Sequence, residues 1–146
     1  MKSHLQLSAN QKGVMLLEAL LGILIFSIGI LAVVGMQTVA VRTVSESKYR
    51  MDASFLANEV IGQMWGNRTN LALYDYNGGV PNAVLTKWVT KVTATLPGAA
   101  ANPPNIDIGA GGIVTVVVFW QHPEEAGLAS PPPPHSYRVV ASITCC

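Results

Sequence analysis

The sequence predicts an α+β protein in which one long N-terminal helix packs on a small antiparallel sheet, and three observations predict it. An uncharged run from Val14 to Val41 is interrupted only by Glu18. Apolar residues then recur at helical spacing from Ala53 to Met64, and two segments with strand character, 113–120 and 137–144, follow toward the C-terminus. These divide the 146 residues into a segment 1–13, a helix over 14–66 whose half 14–41 is apolar on every side, and a globular head over 67–146 that packs on residues 42–65.

At about 1.5 Å per residue the run Val14–Val41 makes a helix of about 42 Å, longer than the hydrocarbon core of about 30 Å requires. It is long enough to span a bilayer. A secretory signal peptide is the first alternative, but the run is too long for one and no small-x-small cleavage site follows it. A plain signal-anchor is the second, and Glu18 stands against it. A carboxylate at mid-membrane costs roughly 2.5–3.5 kcal/mol, although near the end of the run its side chain could snorkel to the interface. Basic residues do not fix the orientation, because Lys2 and Lys12 on one side face Arg42, Lys48 and Arg50 on the other.

Past Arg42 the helix becomes amphipathic. Ala53, Leu56, Ala57, Val60, Ile61 and Met64 form one stripe, while Asp52, Asn58, Glu59 and Gln63 occupy other faces. Gly66-Asn67 and the polar residues to Asn70 end it. A second helix is expected from Asn82 to about Thr95, with Leu85, Trp88, Val89 and Val92 on one side and Leu96-Pro97-Gly98 as its exit; Thr86, Thr90 and Thr93 also suit a strand. Residues 97–112 read as loop, with a short strand at Ile106-Asp107-Ile108. The β-branched run Ile113–Trp120 reads as a strand, and so does 137–144, where Tyr137, Val139, Ala141 and Ile143 alternate with Arg138, Ser142 and Thr144. His122-Pro-Glu-Glu and Ser130-Pro-Pro-Pro-Pro134 form an exposed connection between them, its prolines in polyproline II. A sheet of three or so strands is expected.

Half the residues are hydrophobic and 12% are charged, which bounds the chain to one small domain plus a membrane element. Removing Lys2 and Lys12 with the first 13 residues would leave seven basic residues of nine against eight acidic ones, a formal charge of −1. No basic field points to nucleic acid. Cys145 and Cys146 are adjacent, without CxxC spacing or a His cluster; neighbouring Cα atoms about 3.8 Å apart would strain a disulfide, so free thiols, a strained vicinal bond and an intermolecular bridge stay open. No metal site or cofactor is expected. His4, His122 and His135 are scattered, the last two beside prolines, and read as solvated loop residues. Glu124-Glu125 reads as a solvated turn without a shared pocket. Gly109-Ala-Gly-Gly112 lacks the Lys-Ser/Thr of a phosphate loop and precedes a strand. Trp65, Trp88 and Trp120 read as core or helix–sheet contacts, with a base- or sugar-stacking site as the sharper alternative. No catalytic constellation emerges, and the chain is not expected to be an enzyme.

Lys12-Gly13, the apolar Val14, the Leu16-Leu17-Glu18 core and the run that follows resemble the N-terminus of type IV prepilins. Farther on, Ala53-Ser-Phe-Leu56-Ala-Asn58, Met64-Trp-Gly-Asn67-Arg68, Trp88, Leu96-Pro97-Gly98 and Val118-Phe-Trp120 resemble the PilV-type minor pilins. The likeness is specific over residues 12–36 and looser beyond, where Glu59 stands for the common Asp and Gln63 for a basic residue. It implies a pilin fold and a leader, 1–13, cut by prepilin peptidase between Gly13 and Val14. It further implies N-methylation of Val14, with Glu18 offering the opposite charge during subunit assembly. The implied partners are prepilin peptidase, other minor and major pilins, the inner-membrane assembly platform and the membrane before assembly. The leader is then cytoplasmic and the head periplasmic, before the subunit joins a pilus on the cell surface. Val14 replaces the usual Phe, Met15 the usual Thr, and Gly35 lies where major pilins carry a helix-breaking Pro; the distant cysteine that closes many pilin loops has no counterpart. A minor pseudopilin of type II secretion shares the same N-terminus and is the competing family reading. A signal-anchored periplasmic scaffold or binding domain is the competitor from another class.

Overall fold

A computed structural model describes residues 11–144. Two compact units divide between Val44 and Ser45. Helix α1 covers Gln11–Gly66, and its share of the first unit is exposed at every residue from Gly13 to Val44. By length and composition this helix is able to cross a membrane. Between Gly13 and Val44 its hydroxyls are matched within the helix: Ser27 Oγ donates to the Ile23 carbonyl at 2.7 Å, Thr38 Oγ1 to Val34 at 3.2 Å and Thr43 Oγ1 to Val39 at 3.1 Å.

The second unit is built around the stripe on the later turns of α1. Ala53, Leu56, Ala57, Val60, Ile61 and Met64 are all buried, as their spacing predicts. Past Gly66 the chain tightens into a 3-10 segment, Arg68–Tyr74. Tyr74 is buried there and its hydroxyl reaches the Gln63 carbonyl at 3.4 Å, which ties the segment back to the helix. A two-residue strand, β1 (Tyr76–Asn77), follows; no periodicity marks so short a strand.

Helix α2 (Thr86–Thr95) begins four residues later than expected from Asn82. The expected first turn is present as a turn, because Asn82 Oδ1 accepts from the backbone N–H groups of Val84 and Leu85 at 3.0 and 3.1 Å. That satisfies donors which otherwise lack partners at a helix start. Trp88, Val89 and Val92 face the core, and the Trp88 indole N–H donates to the Leu56 carbonyl at 2.9 Å. On the rim, Lys91 Nζ meets Glu59 Oε2 at 2.7 Å.

Strands β2 (Asn105–Ile108), β3 (Ile113–Trp120) and β4 (His135–Ser142) complete an antiparallel sheet of four strands in the order β1-β2-β3-β4. On β3, Val114, Val116, Val118 and Trp120 are buried, a period of two that a half-covered sheet demands. β4 begins two residues before the expected Tyr137 and ends two before Thr144, with Tyr137, Val139 and Ala141 packed against the core. Ile143 lies past the strand but is still buried. Its N–H donates to the Gly112 carbonyl at 2.7 Å, an approach that a side chain at position 112 would block. Gly112 also has φ +74°, where glycine alone is comfortable.

Two expectations about aromatic and loop residues are corrected. Trp65 is not core: it is 46% exposed, with the Arg68 guanidinium 5.7 Å from its ring centre. Five residues after Val60, it points off the stripe. The connection between β3 and β4 is not wholly irregular, because Pro123–Ala126 forms one helical turn, α3, with Pro at its start. Cys145, Cys146 and residues 1–10, the larger part of the expected leader, lie outside the described residues.

Candidate functional site

Gly13 and Val14 lie in the first turns of α1, and Glu18 follows Val14 by one turn on the same face. All three are exposed, and a side chain at Gly13 would meet no atom within 4 Å. The fold therefore gives Gly13 no packing role among the described residues.

The head holds a second cluster that the sequence does not announce. Antiparallel pairing sets Trp120, the last residue of β3, opposite His135, the first of β4. Their rings stack with centroids 5.8 Å apart and planes within 16°. His122 follows β3 by two residues. It is the one buried polar or charged residue among those described, 8% exposed, with Tyr49 edge-on at 5.3 Å and His135 at 5.5 Å. Glu46, on α1 near the start of the second unit, reaches this group. Its Oε2 lies 2.8 Å from His122 Nε2 and accepts from the Trp120 indole N–H at 3.2 Å, while Oε1 lies 3.6 Å from His135 Nδ1. On the far side of the same imidazole, His135 Nε2 lies 3.2 Å from Glu125 Oε2.

Three expectations are thereby corrected. His122 is not a solvated loop residue, because the strand end turns it inward against α1. His135 is half-buried and starts a strand. Glu125 separates from Glu124: α3 turns Glu125 toward His135, leaving its side chain 16% exposed, whereas Glu124 is exposed. The available signal is a pair of histidines flanking the connection between two antiparallel neighbours, which pairing must bring together. Glu46, 76 residues before His122, gives no local sign.

Burial by itself would raise the Glu46 carboxyl. Hydrogen bonds from His122 and Trp120, with the charges of His135 and His122, outweigh it and hold the group below its ordinary value. His135 presents a different problem. A neutral imidazole has one N–H, yet both ring nitrogens face carboxylates. One nitrogen lone pair then turns toward a carboxylate oxygen, an arrangement that a bridging water, a second ring proton or a metal ion would relieve. Glu46, His122 and His135 are the one group of potential metal ligands among the described residues, their donor atoms all within 4.8 Å of one another. The expectation of no metal site rests on the cysteines and on histidine spacing, and spacing along the chain does not report this junction. No protein-family model, no curated protein and no solved structure matches the chain, so its chemistry has to be read from these residues.

Proposed function

We propose that this chain is a minor pilin-like subunit of a type IV filament. Prepilin peptidase would cut it between Gly13 and Val14, the inner membrane would hold it through the apolar part of α1, and it would enter the pilus during assembly or in its tip complex. The observation that carries this reading is the placement of Gly13, Val14 and Glu18 at the start of an exposed apolar helix whose later turns serve as the core of a small antiparallel head. A pilin needs this division: one segment that is comfortable in lipid or among copies of itself, and one head that folds around the same helix. Its role is structural, with other pilins and the assembly platform as partners, and no reaction is assigned to it.

Glu18 supplies the register in this scheme. In a bilayer the carboxylate is penalised by roughly 2.5–3.5 kcal/mol at mid-depth. A cationic, methylated amine on Val14 of the same or a neighbouring subunit would offset that penalty in a dry filament core. Docking in the wrong register would leave the charge unpaired.

Mass spectrometry of the membrane-held and filament-held protein tests the reading. The expected mature chain begins at a methylated Val14, and Gly13→Asp retains the leader. Glu18→Ala and Glu18→Gln are expected to be cut and inserted normally but depleted in sheared filaments relative to membranes. An intact leader in the wild type would leave a signal-anchored head, and equal filament-to-membrane ratios in all three proteins would remove the role given to Glu18.

A further inference from the structure

We propose that Glu46, His122 and His135 bind one divalent transition-metal ion of the zinc class, which clips helix α1 to the end of β3 and the start of β4. The proposal concerns the head alone and stands whether or not the chain enters a filament. Three features of the cluster carry it.

The first is spacing. Tetrahedral ligands about 2.0–2.1 Å from zinc lie about 3.3–3.4 Å from one another. Glu46 Oε2 lies 2.8 Å from His122 Nε2 and Oε1 3.6 Å from His135 Nδ1, and one donor atom from each of the three residues falls within 4.8 Å of the others, close enough for side-chain rotation to draw them to that separation. The 3.6 Å gap is too long for a hydrogen bond and close to the separation of two donors on one cation.

The second is the outer shell. A metal-bound histidine usually donates its other ring N–H to a carboxylate, which fixes the tautomer and the ring plane. Glu125 Oε2 stands in that position, 3.2 Å from His135 Nε2. With the Nε2 proton committed to Glu125, the Nδ1 lone pair points to the Glu46 side of the ring and is free to coordinate. The Trp120 indole donates to Glu46 Oε2 and steadies the carboxylate in the same way.

The third is donor chemistry. Two imidazoles and a carboxylate favour Zn2+, Cu2+ or Ni2+ over Ca2+ and Mg2+, which prefer all-oxygen shells. Three protein ligands leave the fourth position for water or for a donor from a partner. Because the ligands come from positions 46, 122 and 135, the ion would also close the ends of the Pro-rich connection and stabilise the folded head by mass action.

The test uses the full chain in detergent with His4, Cys145 and Cys146 replaced (H4Q, C145S, C146S), so that no other histidine or thiol competes. After chelation and dialysis, ZnCl2 is titrated calorimetrically and CoCl2 is followed by visible absorption. The expected result is one ion per chain, a tetrahedral cobalt spectrum, and a thermal midpoint that rises with zinc. Glu46→Gln, His122→Ala and His135→Ala should each weaken binding by about 100-fold or more. Glu125→Gln, which touches no ion directly, should weaken it by about 10–100-fold. Circular dichroism of the metal-free proteins checks folding, and if His122→Ala unfolds, the half-exposed His135→Gln carries the same test. Stoichiometry well below one, an octahedral cobalt spectrum, or zinc affinity unchanged in Glu46→Gln and His135→Gln would overturn the site and leave a proton-bridged Glu–His cluster.

Discussion

From Gly13 to Val44, α1 is exposed at every position, whereas between Ala53 and Met64 six residues of the same helix are buried. Hydrophobicity does not explain the difference, since the exposed part is the more apolar. Periodicity does. A helix that is apolar all round has no preferred face to bury against a small sheet, and it suits a surrounding that is apolar on every side. A helix with one stripe has a single way to pack, and that stripe organises the head.

Matched charges in the two regions should break this comparison most visibly. Leu56→Asp or Val60→Asp places an unpaired carboxylate in the core, and loss of about 4 kcal/mol or more is expected, enough to unfold a small head. Leu24→Asp should leave the head's melting unchanged and instead reduce membrane insertion. Thermal melts by near-ultraviolet circular dichroism, set beside membrane fractionation, check both. A head that melts normally with Asp at 56 and at 60 would mean that the stripe is not its core.

Glycines give the next contrast. Gly112→Ala meets the Ile143 carbonyl at a positive φ and should cost about 1–3 kcal/mol. Gly35→Ala, in open space on α1, should instead favour the helix by about 1 kcal/mol. Chemical denaturation reads the first and helix content in detergent the second.

Tryptophans sharpen the picture inside the head. Trp88→Phe removes the bond to the Leu56 carbonyl and leaves a gap, for an expected loss of about 1–3 kcal/mol. Trp65→Phe, on an exposed ring, should change stability by about 0.5 kcal/mol or less. Equal losses would contradict the burial that separates them.

The smallest effect is set by acid. The Glu46 carboxyl is held below its ordinary value, so the unfolded chain binds more protons than the native one in that range. Its stabilisation is complete above the ordinary carboxylate value and lost as pH falls through the lower, folded value. With the side chain 36% exposed, solvent screening keeps the contribution small. In chelator, the melting difference between wild type and Glu46→Gln should narrow as the medium is acidified; a widening gap would reverse the sign assigned to the His122, His135 and Trp120 contacts, with Glu125 acting through His135.

How far each feature is legible in the sequence follows the range of the interaction that decides it. The α1 stripe and the β3 alternation are set by spacings of two to four residues, so local pattern is enough to read both. The start of α2 is displaced from its expected position because Asn82, a good capping residue, supports a turn as readily as a helix. β1 escapes a sequence reading because its two residues gain their identity from Asn105 and Ile106, across the sheet. The Glu46–His122–His135 cluster depends on strand register and on a contact spanning 76 residues. Prolines beside both histidines read locally as loop and conceal it.

The hydroxyls of the apolar helix carry a last consequence. Ser27, Thr38 and Thr43 each spend their proton on a carbonyl one turn back, so none of them calls for water or a neighbouring chain when surrounded by hydrocarbon. These groups therefore give the apolar turns no preferred face in hydrocarbon. Between Val14 and Val41 the one charged side chain is Glu18, so it alone marks one face of these turns by charge.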